Sequence, residues 1–335
     1  MKKTLSLLFV TAFLFSCSNS DDTTPNPDEK YLDGFYVSNE GNFGRGGASS
    51  SFISADLNTI TNDIFNKSNG RELGDVSQSM LVTDKYVFIV VNNSNTIEVV
   101  NKKTFKSVYT ITEKLNLPRY AVIKNNKLYV TSMNDAAVNV YNAENFSFIK
   151  TIALNHPSEK IVVANNYIYA ANLNYKGGRS VEIIDPATDT NTVDIAFENA
   201  INGIATNGQF VYVLDANATS SKISTINNTS ITTSIPISQP SARNIVSDGS
   251  NIYYTANVGI YKMANSLATE GTKLFDVADG GANFTLFGFN VIDGIIFTSD
   301  PNKFIDNSKI IIYKEDGSII KEFTAGIGTN GFYKF

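Results

Sequence analysis

Tyr86-Val87-Phe88-Ile89-Val90-Val91, ended by Asn92-Asn93, reads as a strand buried on both faces. It is β-branched and aromatic, too short for a helix, and closed by turn-forming residues. Its centre recurs. Phe35-Tyr36-Val37, Val87-Phe88-Ile89, Leu128-Tyr129-Val130, Ile168-Tyr169-Ala170, Val211-Tyr212-Val213, Ile252-Tyr253-Tyr254 and Ile295-Ile296-Phe297 are seven copies, their middle residues 52, 41, 40, 43, 41 and 43 positions apart. A period of roughly 40–45 residues built from short strands marks a propeller blade. The fold predicted is therefore all-β, a seven-bladed β-propeller with four-stranded blades.

The second unit shows the pattern in full: Ser79–Val82, Tyr86–Val91, Thr96–Val100 and Ser107–Ile111, with turns at Asp84-Lys85 and Asn101-Lys102-Lys103. The first unit lacks an innermost strand before Phe35, while the chain runs on past the last unit to Gly331-Phe332-Tyr333-Lys334-Phe335. That tail is expected to pair with the first blade and close the ring, leaving no long exposed edge. The longer first gap places insertions at Gly41–Ala48 and Asn66–Asp75, read as loops on the binding face.

Ahead of the repeats the chain changes character. Met1-Lys2-Lys3 is basic, Leu5–Phe15 is an apolar run too short to span a bilayer, and Cys17 is the only cysteine. This pattern resembles a bacterial lipobox. It implies a lipoprotein signal peptide over 1–16, lipidation of Cys17, a tether over 17–30 carrying the stiff Pro-rich stretch Thr23–Asp28, and a propeller over 31–335. Ser18-Asn19-Ser20-Asp21-Asp22 is similar to the surface-export signal of lipoproteins from the Bacteroidetes, which implies an outer-membrane, lipid-anchored protein facing the cell exterior.

Of 335 residues, 42% are hydrophobic and 18% charged, enough apolar material for one large β domain. Without Lys2 and Lys3 the chain carries 25 basic and 32 acidic residues, net −7. No basic cluster suits a phosphate backbone, so nucleic acid is not an expected partner.

In a propeller the start of each innermost strand and the end of the second strand share one face. The candidate ligand-binding residues on that rim are Asn39, Glu40, Asn42, Phe43, Arg45, Gln78, Asn92, Arg119, Tyr120, Asn134, Lys160, Asn172, Tyr175, Asn202, Asp215, Arg243, Asn244 and Asn257. Asp135, Glu159, Phe284 and Thr329-Asn330 stand on the same rim. Side-chain amides both donate and accept, aromatic faces suit a flat or apolar ligand body, and arginines offer paired donors to a phosphate or carboxylate. Asn also simply ends strands and caps turns.

Other chemistry is poorly supplied. His156 is the only histidine, beside Pro157, and reads as a turn residue. A transition-metal site draws on several N/S ligands, and a Ser-His-Asp triad would have to use His156 alone, near which nothing resembles a nucleophile elbow. Asp300–Asp306 lacks the calcium-loop pattern. Gly41–Gly47 follows a strand but leads to no helix and no Lys-Ser/Thr ending. A binding protein without metal or catalytic cofactor is expected rather than an enzyme. A carboxylate-only enzyme using Glu40, Asp135 and Asp215 is the alternative from another class.

Phe35–Gly47 and Asn69–Val91, continuing through Ile97–Val100 and Leu117–Tyr120, resemble the opening blades of a family of Bacteroidetes surface lipoproteins. Their propellers are related to YVTN/YncE-like repeat proteins, and Ile183-Ile184-Asp185-Pro186 is a turn placement met in that type. The group includes the cobalamin-capturing lipoproteins of BtuG type, which sit on a TonB-dependent transporter. The resemblance implies capture of a small molecule, cobalamin or another corrinoid first, as cargo for such a transporter. A glycan or a protein is the alternative cargo.

Overall fold

A computed structural model describes residues 29–278 and 285–335. Residues 1–16, read as a signal peptide, Cys17, most of the stretch read as a tether and Phe284 lie outside the described residues.

Seven four-stranded antiparallel sheets make the ring. The second strand of each follows the repeat read from sequence: Gly34–Asn39, Tyr86–Val91, Lys127–Ser132, Tyr167–Asn172, Val211–Ala216, Asn251–Ala256 and Ile295–Asp300 in blades 1 to 7. Blades 2 to 7 take their innermost strand from just upstream. Blade 1 takes Thr329–Lys334 from the far end of the chain, paired antiparallel with Gly34–Asn39 through Phe35↔Lys334, Tyr36↔Tyr333 and Val37↔Phe332. The closure expected of the tail is thus present, starting two residues earlier than Gly331.

The apolar strands are explained by where the core sits. Seven clusters of buried side chains fill the wedges between adjacent blades, and a second strand feeds the wedges on both sides. Val87 and Ile89 pack toward blade 1, whereas Phe88 and Val90 pack toward blade 3. A strand used on both faces cannot alternate with polar residues.

The tyrosine at the repeat centre has a second task. Its ring fills the wedge, and in four blades its hydroxyl donates to the turn between the third and fourth strands of the next blade. Tyr36 reaches the Lys102 carbonyl, Tyr129 reaches Asp189 Oδ1 at 2.7 Å, Tyr169 the Asn228 carbonyl at 2.8 Å, and Tyr253 Glu315 Oε1 at 2.6 Å. Burial and, for Tyr129 and Tyr253, the adjacent carboxylates push these phenols far above their ordinary pKa. Blade 2 carries Phe88 there instead, edge-on to Phe146 of blade 3 at 5.9 Å.

One expectation needs correction. The stretch read as a loop over Asn66–Asp75 begins inside a helix, α1, Ile64–Asn69. The outermost strand of blade 1 is only Ile60–Thr61. The fully buried Ile64 and Phe65 of α1 take up the wedge space beside Tyr36 and Phe105. Gly70, with φ 66°, stops the helix by donating to the Asn66 carbonyl. The other insertion, Gly41–Ala48, is a tight loop. Gly41 has φ +79°, and a Cβ there would lie 2.5 Å from the Ala48 nitrogen, so its glycine is demanded by the turn.

Two outcomes follow from this packing. Deleting residues 331–335 removes most of the closing strand, and its thermal midpoint should fall well below that of the whole chain. An unchanged midpoint would contradict closure. Tyr129→Phe, which strips a carboxylate of its buried donor, should cost about 1.5–3 kcal/mol in denaturant unfolding, and Tyr169→Phe, facing a neutral carbonyl, about 1 kcal/mol.

Candidate ligand cavity at the channel mouth

The innermost strands share an irregularity that builds the site. Where each starts, the pairing register to its neighbour shifts in six of the seven blades, leaving one residue, or two against one, bulged out of the ladder. The bulged residues are Asn330, Gln78, Arg119-Tyr120, Glu159-Lys160, Asn202 and Asn244 in blades 1 to 6. A bulge re-aims a side chain that regular pleating would send into the sheet's neighbours. Here every bulged residue lines one cavity at the mouth of the channel, about 290 Å³ in volume. Blade 7 has no bulge at this level. It contributes Phe287 and Phe289, and Ile201 and Ile204 of blade 5 add further apolar wall.

The cavity's polar side is organised around Arg119. Its guanidinium donates to both oxygens of Glu159, Nε to Oε2 at 2.8 Å and Nη2 to Oε1 at 2.6 Å, and through Nη1 to the Gln78 side-chain carbonyl. This is the paired geometry that makes arginine–carboxylate contacts directional. Glu40 lies beyond it on blade 1, its backbone N–H bound to the Gly328 carbonyl at 2.9 Å. Burial raises the Glu40 pKa above the usual carboxylate range, opposed by the Asn330 amide 2.9 Å away and the charge of Arg119, and reinforced by Glu159. Burial lowers the pKa of Lys160, partly offset by Glu159, and its ammonium stands 5.9 Å from the centroid of the Tyr120 ring.

The amides tie blade to blade. Asn330 Nδ2 donates to the Ser77 and Gln78 carbonyls of blade 2 at 3.1 and 2.9 Å, Asn202 Nδ2 to Ala242 of blade 6 at 2.8 Å, and Asn244 Nδ2 to Leu286 ahead of blade 7 at 3.0 Å. One half of each amide therefore orders the ring. Asn202 Oδ1 also accepts from Asn174 at 2.6 Å.

Of the residues expected at the rim, Glu40, Gln78, Arg119, Tyr120, Lys160, Asn172, Asn202 and Asn244 meet at this cavity. Asn172 does so with its amide already spent on Glu182 at 3.0 Å. The others go elsewhere. Asn39 is fully buried between Ser49, Ser51 and Thr329. Asn92 donates to the Pro118 carbonyl at 3.0 Å. Asp215 is buried on the two nitrogens of Asn199. Asn42 closes the small bridge to Gly46, which leaves Phe43 and Arg45 exposed at the loop tip. Asn134 is exposed against Asn116, Arg243 is exposed one residue before its bulge, and Asn257 sits with φ 51° in the turn before Gly259–Ala264. Tyr175 belongs to the short 3-10 turn Asn174–Lys176. His156 takes its place through its backbone, its N–H donating to Glu182 at 3.1 Å.

Sequence reasoning passed over Phe287, Phe289, Ile201 and Ile204, because apolar residues beside a strand read as core. A positional signal existed. Gln78, Arg119, Glu159 and Asn202 each stand ten residues before their repeat centre, and Asn244 and Phe287 nine.

Similarity to other proteins agrees with this architecture. The solved structure of a quinonprotein alcohol dehydrogenase-like protein from Bacteroides thetaiotaomicron VPI-5482 superposes with TM-score 0.70 at 14% identity, over 91% of this chain and 78% of that one. A functionally unknown protein from Desulfotomaculum acetoxidans DSM 771 gives 0.65 at 15% identity, over 90% and 98%. Kuenenia stuttgartiensis hydrazine synthase gives 0.62 at 12% identity, over 74% and 85%. At such identities the likeness is one of fold. No curated protein matches the chain. The profile described as "Domain of unknown function (DUF5074)" matches residues 33–320, and the chain belongs to that family.

Proposed function

We propose that this protein is a binding module that holds a compact small molecule in the cavity at its channel mouth. In this reading the N-terminal lipid anchors it to the outer membrane, facing outward, and the captured molecule passes to a TonB-dependent transporter. The observation that carries the proposal is convergence: six bulges from six blades turn polar side chains into one space. A bulge interrupts ladder hydrogen bonds, and its repetition at one level of the ring serves the channel rather than the sheets.

The volume of about 290 Å³ stands at the small end of ligand sites. Cobalamin, the cargo implied by the resemblance, is too large to be enclosed. It fits this reading only as a ligand lying across the mouth with a peripheral amide or its phosphate inserted. Carboxylate catalysis has less support. Asp215 is tied to Asn199 and Asp135 accepts from Asn116 at 2.8 Å, and neither lines the cavity that holds Glu40, so the three acids of that reading do not meet.

Thermal-shift screening of the chain from residue 29 onward against cyanocobalamin, sugars, organic acids and organic phosphates tests the proposal. A compact ligand should raise the midpoint. Arg119→Ala should weaken its binding about tenfold or more, the scale of a lost charged hydrogen bond, while Arg243→Ala leaves it unchanged. The reverse pattern would place the site elsewhere.

Glu40 gives a pH-dependent outcome. Its pKa is raised in the folded state, so between the ordinary carboxylate value and the raised one the native protein holds more protons than the unfolded chain. Its contribution to stability therefore falls as pH rises through that window. Glu40→Gln, which keeps an acceptor for Asn330, should gain midpoint relative to wild type on going from pH 4 to pH 8. A constant difference across that range would show that Glu40 titrates normally.

A further inference from the structure

Among the described residues Lys160 is a cation without an ion-pair partner. Its neighbour Glu159 is committed to Arg119 through both oxygens, at 2.6 and 2.8 Å. Among the described residues Lys160 makes no ion pair and no side-chain hydrogen bond, and its contact is with the Tyr120 ring face. Other cations that reach between blades find an acceptor: Lys127 pairs with Asp189 at 2.6 Å, Lys262 with Glu315 at 2.8 Å and Arg71 with Glu98 at 2.7 Å, while Lys124 donates to the Asn165 carbonyl at 2.9 Å. Lys160 is half-buried, and a partly desolvated ammonium lacking a counter-charge carries a cost that proteins ordinarily relieve by pairing. Here it lines the cavity wall on blade 4, while Phe287 and Phe289 of blade 7 offer an apolar face and Glu40 occupies blade 1.

Resting on the binding reading above, we propose that the ligand is a compact organic anion, whose carboxylate or phosphate oxygens pair with Lys160 and whose apolar body lies against Phe287 and Phe289. The anion supplies the counter-charge that the described residues do not. The aromatic pair and Ile201 and Ile204 exclude water from the remainder of the molecule, and the Arg119–Glu159 pair, already neutral as a unit, leaves the cavity's net attraction to Lys160. Glu40 faces the same space, so a ligand of this class keeps its charge on the Lys160 side.

The test uses three probes of similar size on the chain from residue 29 onward, at pH 7 in a zwitterionic buffer: phenyl phosphate, phenylacetate and neutral phenylacetamide. Calorimetry should show one or both anions binding at least about tenfold more tightly than the amide, and which anion is preferred separates phosphate from carboxylate chemistry. Lys160→Met should remove that preference, and Lys160→Arg should keep most of it. Because Lys160→Met deletes an unpaired charge, its thermal midpoint should equal or exceed that of wild type, which separates loss of the anchor from loss of the fold. An amide that binds as well as the acids, with Lys160→Met unaffected, would overturn the anion assignment while leaving the binding reading intact. Absence of heat with all three probes would likewise overturn the assignment, and the broader ligand screen would then judge the binding reading by itself.

Discussion

The pairing of Thr329–Lys334 with Gly34–Asn39 is the constraint on which the rest depends. A row of sheets with two open ends has no fixed curvature. Sewing the last segment into the first sheet makes the wedges between blades close on one another, and Phe332 joins Phe35 and Phe297 in the wedge between blades 7 and 1. Closure also fixes the direction of every innermost strand. Their starts then share one rim, and whatever those starts carry is brought together at the channel mouth.

What they carry is a compromise between holding the ring and lining the cavity. The bulges loosen the sheets where the blades crowd the axis most closely. Side chains repair the loss: Asn330, Asn202 and Asn244 donate to backbone carbonyls of the following blade, and Ser79 and Thr131 donate to the Arg119 and Glu159 carbonyls at 2.7 Å. The carbonyls freed by a bulge thus become acceptors for a neighbour, and the ring is tightened at the level where the cavity opens. Arg119 extends the same logic to charge, joining blade 2, through Gln78, to blade 4, through Glu159. Glu40 and Lys160 are different. Burial disfavours the charge on both, and neither is needed to join the blades, which is the pattern expected of groups kept for a ligand.

Much of the fold is legible because burial on two faces leaves a blunt trace. Val87–Val91 and its counterparts must be apolar throughout, and their spacing follows from the length of a four-stranded blade. Helix α1 is not legible, because six residues with two buried positions have no periodicity to detect. The face of the site is legible from topology, but its membership is not. Which of two consecutive residues turns into the channel depends on where the ladder slips, so Asn244 enters and Arg243 does not. Rim asparagines divide in a similar way: those in a bulge reach the cavity, whereas Asn39, Asn92 and Asn172, at or just past the ends of second strands, spend their amides on local hydrogen bonds, Asn172 while still bordering the cavity. Phe287 and Phe289 face the cavity only because blade 7 keeps its regular register.

The most direct measurement of the central claim is a crystal structure of the propeller soaked with phenyl phosphate. The account predicts one molecule at the channel mouth, its phosphate within hydrogen-bond distance of Lys160 Nζ and its ring against Phe287 and Phe289. A cavity left empty, with the compound bound instead at the exposed Gly41–Ala48 loop or outside the ring, would contradict it.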